Sequence, residues 1–327
     1  MANNDILVMI DHTEGSLDST AAEILTAANG LAKQSGGEVL AALCSSDSGS
    51  LPQKIISLGA SKVYTITSPV FNEINSDSLV KAYEAVIGNT SPKVVLFGRT
   101  LIARDTAPRL AFRVNSGFAQ DCTSVEIDGD SVVLERPVYG GASVARVTFT
   151  GDFGVAVIKA KSYDAAIEDS SRSGEVIDLT DSAGDLTSRI KLVDRQKVES
   201  EGIRLEDAGI VVSGGRGLGG PEPFDILQEL ATQLGGALGA SRAACDAGWI
   251  PYAHQVGLTG KTVSADTYFA IAISGASQHL AGMSAVKNVI AINRDEEANI
   301  FKAANFGVVG DWEKVTTAFL NMVKELS

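Results

Sequence analysis

Four short segments in the last third of the chain carry residue types that can hold an anion. The first, Gly209–Gly220, reads GIVVSGGRGLGG. Gly215, Gly217 and Gly220 fit G-x-G-x-x-G between an apolar strand and a helix. Glycines there let the backbone approach a pyrophosphate, and the helix N-terminus supplies N–H donors and a favourable dipole. A glycine-rich turn without a ligand is the other reading of that pattern, and spacing alone leaves both open. Arg216 sits inside the turn, where a guanidinium grips phosphate with two parallel hydrogen bonds. No acid closes the following strand to take a ribose hydroxyl, as a nicotinamide-dinucleotide fingerprint requires. Ser241 and Arg242 stand there instead.

The second segment, Gly239–Gly248, reads GASRAACDAG and places Ser241 and Arg242 where a strand turns into a helix. Arg242 is read either as an anion contact or as an i,i+4 ion pair with Asp246, the latter worth a few tenths of a kcal/mol. The third, His254–Lys261, reads HQVGLTGK, a tight loop in which two glycines flank Leu258 and the hydroxyl of Thr259. The fourth, Ser274–Met283, reads SGASQHLAGM; its Ser-Gly opening is expected to cap a helix, with His279 just inside. A lone histidine is more often a structural residue. Here four glycine-bearing turns each follow a strand of one α/β unit, and in such sheets the loops at the carboxyl ends of strands converge on one ligand crevice.

The elements that must position these segments follow from hydrophobic periodicity. Gly209–Ser213, Gly236–Ala240, Thr267–Ser274, Val286–Asn293 and Phe306–Val309 read as strands. Pro221–Leu234 and Asp311–Leu326 read as helices. This unit starts near Ala208. Before it, Ile6–Ile10, Glu38–Cys44, Lys62–Ile66 and Lys93–Phe97 are apolar runs that alternate with helical patterns at Asp18–Lys33, Leu79–Ile87 and Asp105–Val114. That alternation predicts a parallel sheet covered by helices on both faces. Ser124–Ile127 and Ser131–Glu135 flank Asp128-Gly129, a hairpin signal. Ala142–Phe149 and Gly154–Lys159 are read as further strands of an antiparallel set closing the first domain. Ser162–Arg195, polar and acidic, is read as loop and linker, one that could cross to a partner subunit. The reading is α/β in two domains, 1–195 and 196–327.

The net charge of −13 argues against nucleic acid and anionic membranes as partners, solubility being its ordinary meaning. No apolar run reaches the roughly 18–20 residues of a membrane helix, so direct membrane insertion is not expected. The N-terminus lacks the pattern of a signal or transit peptide, so a cytoplasmic location, in a bacterium, is expected. Cys44, Cys122 and Cys245 are far apart in sequence, with no C-x-x-C pair and no Cys/His cluster; they support no metal site and read as packing residues. Redox chemistry would therefore need a bound cofactor.

SGGRG at Ser213–Gly217, ASRAACDAG at Ala240–Gly248, QVGLTGK at Gln255–Lys261 and ISGASQHLAGM at Ile273–Met283 resemble the alpha (large) subunit of electron-transfer flavoproteins. AINRDEEANIF at Ala291–Phe301 and the stretch Gly307–Asp311 continue the likeness. Over the first part of the chain it is looser, carried by strand order and by VYGG at Val138–Gly141. The resemblance implies an N-terminal, nucleotide-hydrolase-like (flavodoxin-like) parallel-sheet domain and a C-terminal Rossmann-like domain that holds FAD noncovalently. It carries FAD contacts onto Arg216, Ser241, Arg242, Val256, Gly257, Leu258, Thr259, Ser274, Gly275, Ala276, Ser277, Gln278, His279, Asn293 and Asp311. Within that implied site, Arg242 and His279 are expected as positive groups near the isoalloxazine. They would stabilise negative charge on the ring and make one-electron steps accessible. The Thr259 hydroxyl suits the flavin N5. Leu258 stands where the family usually has glutamine, and Ser277 where it often has isoleucine or valine; both departures bear on the flavin potential.

The implied function is that of an electron carrier, not an enzyme. It would pair with a beta subunit, docked by the first domain. It would take electrons from flavin dehydrogenases, such as the acyl-CoA dehydrogenases of fatty acid beta-oxidation, and pass them to a membrane quinone oxidoreductase. The alternatives are an electron-bifurcating version of the same complex, an NAD(P)H-dependent flavoenzyme, and a nucleotide-binding regulatory module. The first domain is expected to bind protein and not nucleotide. Its opening strand runs into Asp11, His12, Thr13, Glu14 and Gly15, with two acids and one glycine, a turn that would repel a pyrophosphate.

Overall fold

A computed structural model describes residues 4–13, 15–73, 75–141, 143–151, 153–194 and 203–326. The chain divides into two compact units, Met1–Arg195 and Gln196–Ser327.

In the first unit a seven-stranded sheet runs in the order Glu175–Asp178, Lys62–Thr67, Val39–Ser45, Ile6–Ile10, Val94–Gly98, Gly154–Ile158, Gly117–Cys122, all parallel. Side chains alternate across each strand. Ile6, Val8 and Ile10 therefore enter one core and Leu7 and Met9 the other, which is why the whole run Ile6–Ile10 is apolar. The helices start where the sequence offers caps. The Asp18 carboxylate accepts from Thr20 N at 2.9 Å, Asn75 Oδ1 from Ser78 N at 3.0 Å, and Thr100 Oγ1 from Ala103 N at 3.0 Å. A separate antiparallel ribbon of Ser124–Asp128, Ser131–Val138 and Ser143–Thr148 contains the expected hairpin, with Gly129 in the left-handed region at φ 59°. All three cysteines are buried; burial pushes Cys122 to about 12 and Cys245 to about 11.

Two expectations for this unit need correction. Gly154–Ile158 is not part of the antiparallel set; it lies in the main sheet, parallel to both neighbours. Five consecutive buried residues, GVAVI, mark a strand covered on both faces, which an exposed ribbon strand would not tolerate. The segment 162–194 is not an unstructured linker. Glu175–Asp178 adds a parallel edge strand, Ser78 Oγ donates to Leu186 O at 2.7 Å, and Asp77 is gripped by both Arg109 and Arg189. Those two guanidiniums hold the Asp77 carboxyl well below the usual range. Low hydrophobicity concealed this strap because its few buried apolar residues, Ala183 and Leu186 among them, show no periodicity and polar contacts supply the rest of its hold. In the opening turn, Asp11 accepts a short hydrogen bond from Thr100, and His12–Thr13 pairs with Ser16–Leu17; Glu14 lies outside the described residues.

In the second unit six parallel strands lie in the order Gln255–Val256, Ala237–Ser241, Ile210–Gly214, Thr267–Ile271, Asn288–Asn293, Phe306–Val309. Numbered along the chain within this unit, the order is 3-2-1-4-5-6. This is the doubly wound dinucleotide-binding arrangement. It reverses direction between Ile210–Gly214 and Thr267–Ile271. At that point the loops leave toward opposite faces and open a crevice at the strands' carboxyl ends. Helices Pro223–Gln233 and Trp312–Leu326 pack on one face, with Phe224, Leu227, Leu230 and Leu320 in its core. No helix among the described residues is long and apolar enough to cross a membrane.

Candidate functional site

Because the six strands are parallel, the turns after Gly214, Ser241, Val256 and Ile271 all emerge on one edge of the sheet. Backbone bonds stitch them together. Gly215 N donates to Ile271 O at 2.9 Å and Gly217 N to Ala272 O at 3.3 Å. Leu258 N donates to Gln278 O at 2.7 Å, Val263 N to Gly282 O at 2.8 Å, and Ile300 N to Ser274 O at 3.1 Å. The glycines make these approaches feasible. A Cβ on Gly215 would lie 2.1 Å from Ala272 O, and one on Gly282 would lie 2.3 Å from Gly257 N. At the switch point Ala272 itself holds φ 54°, and Gly275 holds φ 81°. A non-glycine residue in the left-handed region is the kind of local strain that collects at binding loops.

The edge offers donors without partners. Among the described residues, the backbone N–H groups of Ser274, Gly275, Ala276 and Ser277 make no backbone hydrogen bond. Ser241 Oγ is buried and unpartnered at the end of its strand. Arg216 is exposed and has no ion-pair partner among the described residues. For the buried Ser241 hydroxyl, a hydrogen bond left unmade costs about 1–3 kcal/mol. A ligand rich in acceptors, such as a phosphate and ribitol chain, is what would satisfy this set.

The other expected site residues are placed as follows. Val256, Gly257 and Gly275 are buried, while Leu258, Thr259, Ala276, Ser277 and Gln278 are exposed on the rim. Thr259 Oγ1 accepts from Gln255 Nε2 at 3.0 Å, which leaves its hydroxyl proton available to another acceptor. Arg242 Nε lies 3.3 Å from Asp246 Oδ2, so the i,i+4 pair read from the sequence is formed; Tyr252 donates to the other oxygen of Asp246 at 2.9 Å. Asn293 is occupied locally: Nδ2 donates to Ile273 O at 2.9 Å and Oδ1 accepts from Asp295 N at 3.0 Å. Asp311 Oδ1 accepts from Lys314 N at 3.1 Å, capping the last helix.

Three sequence expectations fail on inspection. Ser274 does not cap a helix; the helix Ser277–Gly282 follows Ala276 and has no side-chain cap. The glycine turn does not lead to a donor-rich helix start. Pro223 opens that helix without an N–H, Phe224 N and Asp225 N are bonded to Pro221 O and Glu222 O, and Glu222 and Asp225 add negative charge. The adjoining cleft, lined by Leu218, Glu222, Pro223, Ile226, Trp312 and Glu313, is acidic too. The start of that helix is therefore a poor place for a phosphate. Finally, His279 is not a positive group. It is 7% exposed, and burial holds its pKa down to about 4. It acts as a neutral hydrogen-bonding ring, bonded through Nε2 to the Tyr268 hydroxyl at 2.9 Å. Tyr268 itself was missed by sequence reasoning, since nothing distinguishes it from other core aromatics of TYFAIAIS.

Comparison with known proteins agrees with this architecture. Residues 6–183 match the electron transfer flavoprotein domain family, and residues 204–284 match the electron transfer flavoprotein FAD-binding domain family. The second match spans Arg216 to His279 and stops short of Asn293 and Asp311. Electron transfer flavoprotein subunit alpha of Thermoanaerobacterium thermosaccharolyticum is 40% identical over 324 residues, 98% of each chain. The subunits of the same name from Bacillus subtilis and Megasphaera elsdenii are 39% and 40% identical, covering 98% of this chain and 98% and 96% of theirs. With both units matched in order and relatives aligned end to end, the chain belongs to the electron transfer flavoprotein alpha subunit family, and its second unit is that family's FAD-binding domain.

Proposed function

We propose that this chain works as the FAD-bearing half of a heterodimer. It would take electrons from flavin dehydrogenases, such as acyl-CoA dehydrogenases, and deliver them to a quinone oxidoreductase. The observation that carries the reading is the stitched carboxyl edge of the 3-2-1-4-5-6 sheet, with its unpaired N–H groups at 274–277 and the orphaned Ser241 hydroxyl. When bound, FAD supplies the capacity to accept and release electrons. The chain supplies the holding groups: Arg216 and the 274–277 backbone for phosphate, and Ser241, Arg242, Val256 to Thr259 and Gln278 to His279 around the rest. Asn293 and Asp311 border the same edge and each keeps one acceptor lone pair or oxygen for a hydroxyl.

The first unit we assign to docking a beta subunit. Its own switch point, at Asp11 and Thr100, presents a half-buried carboxyl that desolvation raises to about 6, and no glycine-rich turn follows. A carboxyl there opposes a pyrophosphate. Isolating the tagged chain from its native cells, identifying the co-purifying polypeptides and assaying flavin reduction by an acyl-CoA dehydrogenase tests the reading. A bound second subunit and dehydrogenase-dependent reduction are expected. A chain that purifies alone, or that oxidises NADH unaided, overturns it.

A further inference from the structure

A buried row of hydrogen-bonding groups runs beneath the candidate site. Tyr268 is fully buried on Thr267–Ile271, with its hydroxyl 2.9 Å from His279 Nε2 and the two rings edge to face, centroids 6.0 Å apart. On the neighbouring strand Val211 is in register with Tyr268, and Ser213, two residues on, shares that face. The Ser213 hydroxyl is buried on that face without a hydrogen-bond partner. On the far side of the imidazole, Nδ1 is buried and has no hydrogen-bond partner.

Each group has few options. Burial keeps the phenol protonated, so its O–H must find an acceptor. The neutral imidazole carries its single proton on one nitrogen or the other. A proton on Nε2 would point at the phenol oxygen and leave two buried groups unmet, the phenol O–H and the bare Nδ1 lone pair. With the proton on Nδ1, Tyr268 donates to Nε2 and only Nδ1–H is left open, free for an acceptor on a ligand.

We infer that Tyr268 is a positioning residue that fixes His279 as the Nδ1–H tautomer, so that His279 offers the cofactor a neutral hydrogen-bond donor. The cofactor half of this statement rests on the function proposed above; the tautomer does not. The test is nitrogen-15 NMR of histidine-labelled, flavin-loaded protein. The sequence has three histidines, and the other two serve as internal standards. His254 Nδ1 lies 2.9 Å from Leu238 O and His12 Nε2 lies 3.0 Å from Cys44 O. A carbonyl only accepts, so one shows each tautomer. Wild-type His279 is expected to match His254. Tyr268→Phe should raise the Nε2–H population at least tenfold and move the flavin potential. A wild-type spectrum matching His12 overturns the inference even if the variant does not fold. A folded Tyr268→Phe protein with an unchanged His279 signature overturns it as well. A changed tautomer with an unmoved potential overturns the cofactor half. Absence of flavin would refute the proposed function while leaving the tautomer readable.

Discussion

A buried neutral histidine makes the second unit sensitive to acid, and the size of the effect follows from its burial. His279 has its pKa lowered from 6.5 to about 4. A folded state that binds its proton less readily than the unfolded chain loses stability as pH falls. The loss begins near the unfolded value, 6.5, and is complete below the folded value, about 4. Between pH 7.5 and pH 5 the difference amounts to about 2 kcal/mol, and below pH 4 to about 3 kcal/mol. Other groups titrate over the same range, so the variant His279→Gln supplies the reference. The two tryptophans, Trp249 and Trp312, both pack on the core of the second unit, so their fluorescence reports that unit alone. Urea unfolding of flavin-free protein at both pH values should show wild type losing about 2 kcal/mol more than His279→Gln. Equal losses in the two proteins would mean that His279 titrates normally and that the neutral-donor reading is wrong.

Arg242→Ala should lower the flavin potential and Asp246→Asn should raise it. Because Arg242 is 65% exposed and already paired, the shift should be on the order of 1 kcal/mol or less, roughly 40 mV for one electron; a redox titration unchanged in both leaves Arg242 as a surface ion pair only. Gly275→Ala should abolish flavin retention, since its Cβ would fall 2.2 Å from Ile300 N. The left-handed backbone adds about 1–2 kcal/mol to an overpacking cost of about 1–3 kcal/mol; a variant that keeps its flavin and its unfolding midpoint contradicts the packing described. Acid denaturation should release intact FAD, as mass spectrometry of the supernatant will show; flavin left on the polypeptide, or FMN, argues against an extended dinucleotide held noncovalently.

Much of this architecture was legible because its signals are local. Ile6–Ile10 and Gly209–Ser213 announce two-sided burial through unbroken apolar runs, and the glycine-bearing turns mark where strands end. What escaped depends on the third dimension. Gly154–Ile158 looks like a continuation of the preceding ribbon; only the long-range pairing with Val94–Gly98 makes it a central parallel strand. The strap at 162–194 owes its order to Asp77, Arg109, Arg189 and Ser78, polar partners scattered along the chain. The charge on His279 was misjudged for a similar reason. A histidine in a glycine-bearing loop reads as exposed, and nothing in QHLAGM says that Tyr268, eleven residues earlier, closes over it. Asn293 ends its strand, whereas Asp311 lies two residues past Val309 at the start of the last helix, and the sequence did not reveal that each already serves a turn or a cap.

The central claim is that FAD lies on the carboxyl edge of the second unit's sheet, held by its switch-point loops. Hydrogen–deuterium exchange of the flavin-free and flavin-loaded protein tests it most directly. Loading should slow exchange by at least tenfold at Ser274–Ser277, whose N–H groups lack backbone partners, with smaller protection at Arg216, Ser241–Arg242 and Val256–Thr259. Protection confined to the helix start at Pro223–Ile226, or to the first unit around Asp11 and Thr100, would contradict the account.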